Sequence, residues 1–165
     1  MSFEKPILKL KPTQNDVLAD RFAWTVLLFL WLYVIISYIK LPEIIPTHFN
    51  AKGQVKGYGS KMTIWILPSV LTIIVSGITI LNKYPHIFNY LQPITPENAQ
   101  RQYALATRML RYLKLSVVII FSFICIGTIS TADKQNVGLG IWILPLSLAF
   151  IFAPIIIYFY KANKK

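Results

Sequence analysis

The sequence predicts an all-α integral membrane protein with four transmembrane helices, arranged as two hairpins, a small ordered outer loop that could fold as a β-hairpin, and a cytoplasmic interfacial helix. Three observations predict it. The 165 residues are 55% hydrophobic and only 14% charged, more apolar surface than one small water-soluble unit can bury. Four stretches, residues 22–39, 62–82, 115–132 and 135–160, contain no Asp, Glu, Lys, Arg or His. Each reaches the roughly 18 residues needed to cross a hydrocarbon core about 30 Å thick. The cations, which give a net charge of +11, fall between these runs and form no continuous basic stripe, so nucleic acid is not an expected partner. Membrane lipids are.

The chain accordingly divides into a tail (1–21), a first helical hairpin (22–82) with its loop at 40–61, a linking segment with a helix (83–114), a second hairpin (115–160) and a short tail (161–165). The first apolar run is too long for a signal peptide and no A-x-A site follows it before Leu41 and Pro42, so it is expected to stay as an anchor. Lys5, Lys9, Lys11 and Arg21 precede the first span. Lys83, Arg101, Arg108, Arg111 and Lys114 separate the second from the third, and Lys161, Lys164 and Lys165 close the chain. The other side holds Lys40, Lys52, Lys56, Lys61 and Lys134. By the positive-inside rule, the expectation is a multi-pass protein of the cytoplasmic (inner) membrane with both termini cytoplasmic.

In the linking segment, Thr95 suits an N-cap, Pro96 the first helical position and Glu97 the positive helix end, which predicts a long helix from near Pro96 into the third span. Leu105, Met109 and Leu113 share one face, and Arg101, Arg108 and Arg111 gather on another. That pattern suits a helix resting at the headgroups, where the arginines would contact lipid or a regulator. A weak repeat, IWILPS from Ile64 and IWILPLS from Ile141, pairs Trp65 with Trp142 and Pro68 with Pro145. It predicts a Trp in the aromatic belt and a Pro one turn deeper in each hairpin.

The loop LPEIIPTHFNAKGQVKGYGSK is the one long outward segment. Pro42 and Pro46 exclude a helix through its start, while Asn50 with Gly53, and Gly57 with Gly59, supply turns. Residues 47–50 and 54–58 are expected to pair as strands, with Ser60 capping the second span and Lys61 at the membrane surface.

These residues resemble the signature of the bacterial membrane-protein family called domain of unknown function 1648, similar to L-P-x-x-I-P-x-H-(aromatic)-x-x-x-G-x-x-x-x-x-x-S-K. Leu41, Pro42, Ile45, Pro46, His48, Phe49, Gly53, Ser60 and Lys61 match, over a resemblance that covers about residues 24–81. Phe49 stands where many members carry Trp, which weakens a stacking role. The domain also occurs in SdpI-type immunity proteins, which protect a cell from a secreted toxic peptide and hold a repressor at the membrane. The resemblance therefore implies a peptide- or protein-binding loop, with Pro42, Pro46, His48, Phe49, Asn50, Gly53, Tyr58, Ser60 and Lys61 as its contact residues.

Chemistry is poorly provided for. His48 has Glu43 and Asn50 beside it, short of the three or four ligands of a metal site, and its expected role is to bond a loop carbonyl. Glu43 with His48 is the one outer titratable pair, so no catalytic residue, metal or cofactor is expected and the protein reads as non-enzymatic. Cys125 is the single cysteine, which leaves no intramolecular disulfide. Span hydroxyls such as Thr72, Thr79 and Ser122 are expected to bond backbone or neighbouring helices. Two other readings are a small transport or permease module, which with four spans would need to be an oligomer, and a structural subunit that holds a cytoplasmic regulator through its basic helix.

Overall fold

A computed structural model describes residues 5–134 and 138–164. Its elements run α1 (Gln14–Tyr38), β1 (Ile44–Phe49), β2 (Val55–Ser60), a 3-10 turn (Lys61–Trp65), α2 (Ile66–Leu81), a 3-10 turn (Pro85–Ile87), α3 (Ala99–Lys134) and α4 (Ile143–Asn163). Four helices are long and apolar enough to cross a membrane. Large side chains such as Phe29, Ile36, Ile73, Phe123, Phe152 and Ile156 stand exposed around them. Such a girdle is stable against lipid tails and not against water, which makes this a multi-pass membrane protein.

The first helix starts at Gln14, well before the apolar run, because Thr13 and Asp16 close a capping box. The Thr13 hydroxyl accepts from Asp16 N at 3.3 Å, and the Asp16 carboxylate accepts from Thr13 N at 2.9 Å, so two otherwise orphaned donors are satisfied. Thr13→Ala should cost about 1 kcal/mol, to be read from the unfolding midpoint in detergent. Above the cap, Ala23, Leu27, Leu30 and Val34 make a buried stripe with helical spacing. It meets Leu71 and Val75 of α2 and Val118, Cys125 and Ile129 of α3.

The third helix is the centre of the bundle, packing against α1, α2, α4 and β1. Its 36 residues extend about 54 Å, longer than the hydrocarbon core is thick. The expected start near Pro96 holds closely: Ala99 N donates to the Thr95 carbonyl, while Asn98 Oδ1 takes the Thr95 N–H at 2.9 Å. Outside the spans, Thr95 beside Glu97 holds its carboxyl below the usual range. The basic stretch is one unbroken run with the third span, because no Pro or Gly lies between Ala99 and Gly127 to turn it.

The lower part of α3 is wrapped by the chain. Leu8 and Leu10 of the N-terminal strap and Tyr90 pack on Ile94, Ala99 and Tyr103, and the Tyr103 hydroxyl donates to the Pro6 carbonyl at 3.1 Å. Burial pushes the Tyr90 phenol up. The fourth helix docks here through Tyr158 and Ala162 against Ala106, whereas Leu144, Leu146, Leu148 and Phe152 farther along it are exposed.

The two halves of the repeat hold the same place in their helices and different surroundings. Trp65 and Trp142 are the residues before α2 and α4. Trp65 stacks on Trp31, centroids 6.1 Å apart, and tilts against Tyr38, while Trp142 is exposed. Pro68 is buried and Pro145 exposed. Both prolines fall in the first turn of their α-helices, where a missing N–H costs little. Thr72 and Thr79 do bond backbone carbonyls, of Pro68 at 2.8 Å and of Val75 at 2.6 Å, and Thr72 also accepts from Trp31 Nε1 at 3.0 Å.

Candidate functional site

The strands β1 and β2 pair antiparallel from Ile44↔Ser60 to Phe49↔Val55, with register shifts on either side of His48. The first strand starts three residues before the expected 47, with Pro46 buried opposite Tyr58 within the pairing, and the second runs on past the expected 58 to Ser60. The turn is built by Asn50, whose Oδ1 accepts from Lys52 N and Gln54 N, both at 2.9 Å, and by Gly53 at φ +73°. Gly57 and Gly59 form no second turn. They lie in β2 to make room for the facing strand: a Cβ on Gly57 would sit 3.3 Å from His48 Nδ1, and one on Gly59 would sit 2.9 Å from Thr47 Cγ2.

The hairpin folds down onto the bundle. Leu41, Ile45 and Ile64 enter the main core, and the tip rests on residues 138–140, where the Gly53 carbonyl accepts from Leu139 N at 2.7 Å. At its base the Ser60 hydroxyl accepts from Met62 N at 3.3 Å, the cap expected there. Lys61 pairs with Glu43 at 2.8 Å and lies 5.2 Å over the Tyr38 ring. This pairing takes Glu43 away from His48, contrary to expectation. The His48 imidazole meets the Thr47 hydroxyl at 3.0 Å instead of a loop carbonyl.

At the opposite end of the bundle, the terminal end, lies a charge cluster that the sequence reading missed. Arg108 Nε and Nη2 grip the two oxygens of Asp16 at 2.9 and 3.3 Å. Arg111 Nε donates to Asp20 Oδ2 at 3.0 Å, and Lys114 Nζ donates to Asp20 Oδ1 at 2.6 Å and to Thr79 Oγ1 at 3.0 Å. Lys114 is fully buried. Arg101 donates to the carbonyls of Lys161 and Lys164 at the end of α4. The three arginines expected to face lipid or a regulator are thus held by the chain's own acceptors. Asp16 and Asp20 at i, i+4 facing Arg108, Arg111 and Lys114 at i+3 steps was the signal.

Residues 25–72 match the family described as "Domain of unknown function (DUF1648)". The match runs from within α1 through the hairpin into α2. An uncharacterized protein of Archaeoglobus fulgidus is 40% identical over 68 residues, 36% of this chain and 37% of that relative. The match therefore spans little over a third of the relative's length. No solved structure matches.

Within the matched stretch the signature residues divide by burial. Leu41, Ile45, Pro46 and Gly53 are buried and fix the hairpin on the bundle. Phe49 and Asn50 are half-buried at the tip, and Lys61 is half-buried at the base. Pro42, His48, Tyr58 and Ser60 are exposed. The register places Ile44, Ser60 and Tyr58 on one face, with Lys56 two residues along β2 from Tyr58. Much of the signature thus specifies a rigid platform, and a smaller part lies on its open face.

Proposed function

We propose that this is a non-enzymatic protein of the cytoplasmic membrane whose hairpin, on the outer side, binds an extracellular peptide or protein segment, with both termini in the cytoplasm. One observation carries the reading. The hairpin is anchored by buried Ile45, Pro46 and Gly53, yet it leaves Ile44 66% and Tyr58 62% exposed on its open face, with Lys52 and Lys56 also exposed. A fixed apolar and aromatic patch flanked by cations suits an extended segment carrying apolar and acidic residues, either along a strand edge or across the face. The occupation of Arg101, Arg108 and Arg111 by internal acceptors weighs against the regulator-holding alternative. The excess of cations at the terminal end supports the orientation. Immunity of the SdpI type is one setting in which such a platform would serve.

The test uses right-side-out vesicles with a photo-crosslinking residue at position 58 or, for comparison, 139, challenged with a panel of acidic, apolar peptides. The expected result is crosslinking at 58 in excess of 139, lost in Ile44→Ser with Lys56→Glu. Equal crosslinking at both positions, or none at 58 across the panel, overturns the reading.

A further inference from the structure

We propose that the groove between α3 and α4 at the terminal end is a binding site for one anionic phospholipid. The groove encloses about 870 Å³, within the range of small-molecule sites. On α4 it runs from Ala149 to Lys161, about 18 Å at the helical rise. It therefore extends from the charged level of the bundle well into the apolar level.

Its chemistry changes along that length as a lipid's does. One end is bordered by Arg108, Tyr112 and Lys161, and the other by Ile119, Phe150 and Ala153. Among the described residues, no carboxylate lines it. Asp16 lies behind Arg108 and is held by it. Lys161 is exposed, and its ammonium takes part in no ion pair among the described residues. The charged end therefore presents an uncompensated positive field to whatever lies in the groove, which suits a phosphate. The apolar end is lined by small residues, Ala149, Ala153 and Ser116, and α4 is buried on α3 chiefly through Tyr158 and Ala162. Acyl chains are the apolar material at hand at that depth. An incoming protein helix would have to bring an acid to meet Lys161, whereas an anionic lipid brings the charge and the chains together. This proposal stands apart from the reading of the hairpin, which lies at the other end of the bundle.

Native mass spectrometry of the full chain in mild detergent, challenged with equal phosphatidylglycerol and phosphatidylcholine of identical chains, tests it. One lipid should be retained, with phosphatidylglycerol favoured by about fivefold per unpaired cation at the headgroup level. Lys161→Gln should reduce that preference about fivefold. Ala153→Phe, which fills the groove, should abolish retention of both lipids, and Ala149→Leu provides the same obstruction should the first variant fail to fold. An equal affinity for the two lipids overturns the proposal. So does a preference unchanged in Lys161→Gln, or retention that survives either groove-filling change in a protein with an unaltered unfolding midpoint.

Discussion

Asp20→Ala should destabilise the protein by about 3–5 kcal/mol, the usual consequence of leaving a buried ion without its partner. Asp20 accepts from both Arg111 and Lys114, and the Lys114 side chain has no exposed surface. Without the carboxylate, Lys114 retains the Thr79 hydroxyl at 3.0 Å, which is already committed to the Val75 carbonyl. The ammonium is then left short of acceptors at the junction of α1, α2 and α3. The measurement is the unfolding free energy in detergent for Asp20→Ala, Lys114→Met and the pair together. The double variant should be well less destabilised than the sum of the singles, because Met tolerates burial and a charge alone does not. Additive effects, or a loss under about 1 kcal/mol for Asp20→Ala, would show that the cluster does not hold the helices together.

The second large effect is expected at Gly53. Its φ of +73° costs any residue with a Cβ about 1–2 kcal/mol. A Cβ there would also lie 2.4 Å from the Gly140 carbonyl oxygen and 2.6 Å from its nitrogen. Both are backbone atoms that no rotamer change can move. Gly53→Ala should therefore lift the hairpin tip off residues 138–140 and break the Leu139 N–H bond to the Gly53 carbonyl, for a total of about 2–4 kcal/mol. Hydrogen exchange should show lost protection at the Leu139 amide while the α1 and α3 interior stays protected. Gly140→Ala, at φ +82° with nothing near its Cβ, should show the backbone strain alone. Gly77→Ala in α2, where a Cβ meets open space, should be neutral or stabilising by up to about 1 kcal/mol. A protein in which Gly53→Ala and Gly77→Ala behave alike would not have this contact.

What could be read in advance follows from the range of the forces involved. The four spans were legible because lipid selects long uncharged runs whatever their packing. The Asn50 turn and the Ser60 cap were legible because turns and caps are decided within four residues. Gly57 and Gly59 misled because their reason lies on the facing strand, in the side chains of His48 and Thr47. The start of α1 was missed because it was sought where the apolar run begins and not at the Thr13 and Asp16 box. The acceptors of Arg108 and Arg111 were not legible, since nothing local announces that Asp16 and Asp20 oppose them. Tyr58 and Ile44 illustrate the candidate site itself: the signature motif located the hairpin, and only the register could say which of its residues face outward.

The separation along the chain of the cluster's two signs has a consequence for biosynthesis. Asp20 and Lys114 stand 94 positions apart, so the first two helices are made and handed to the membrane before any cation of α3 has left the ribosome. The carboxylates of α1 must then wait, wetted at the rim of the bilayer. The junction around Lys114 therefore needs α3 as well as α1 and α2, and the first hairpin cannot form it alone.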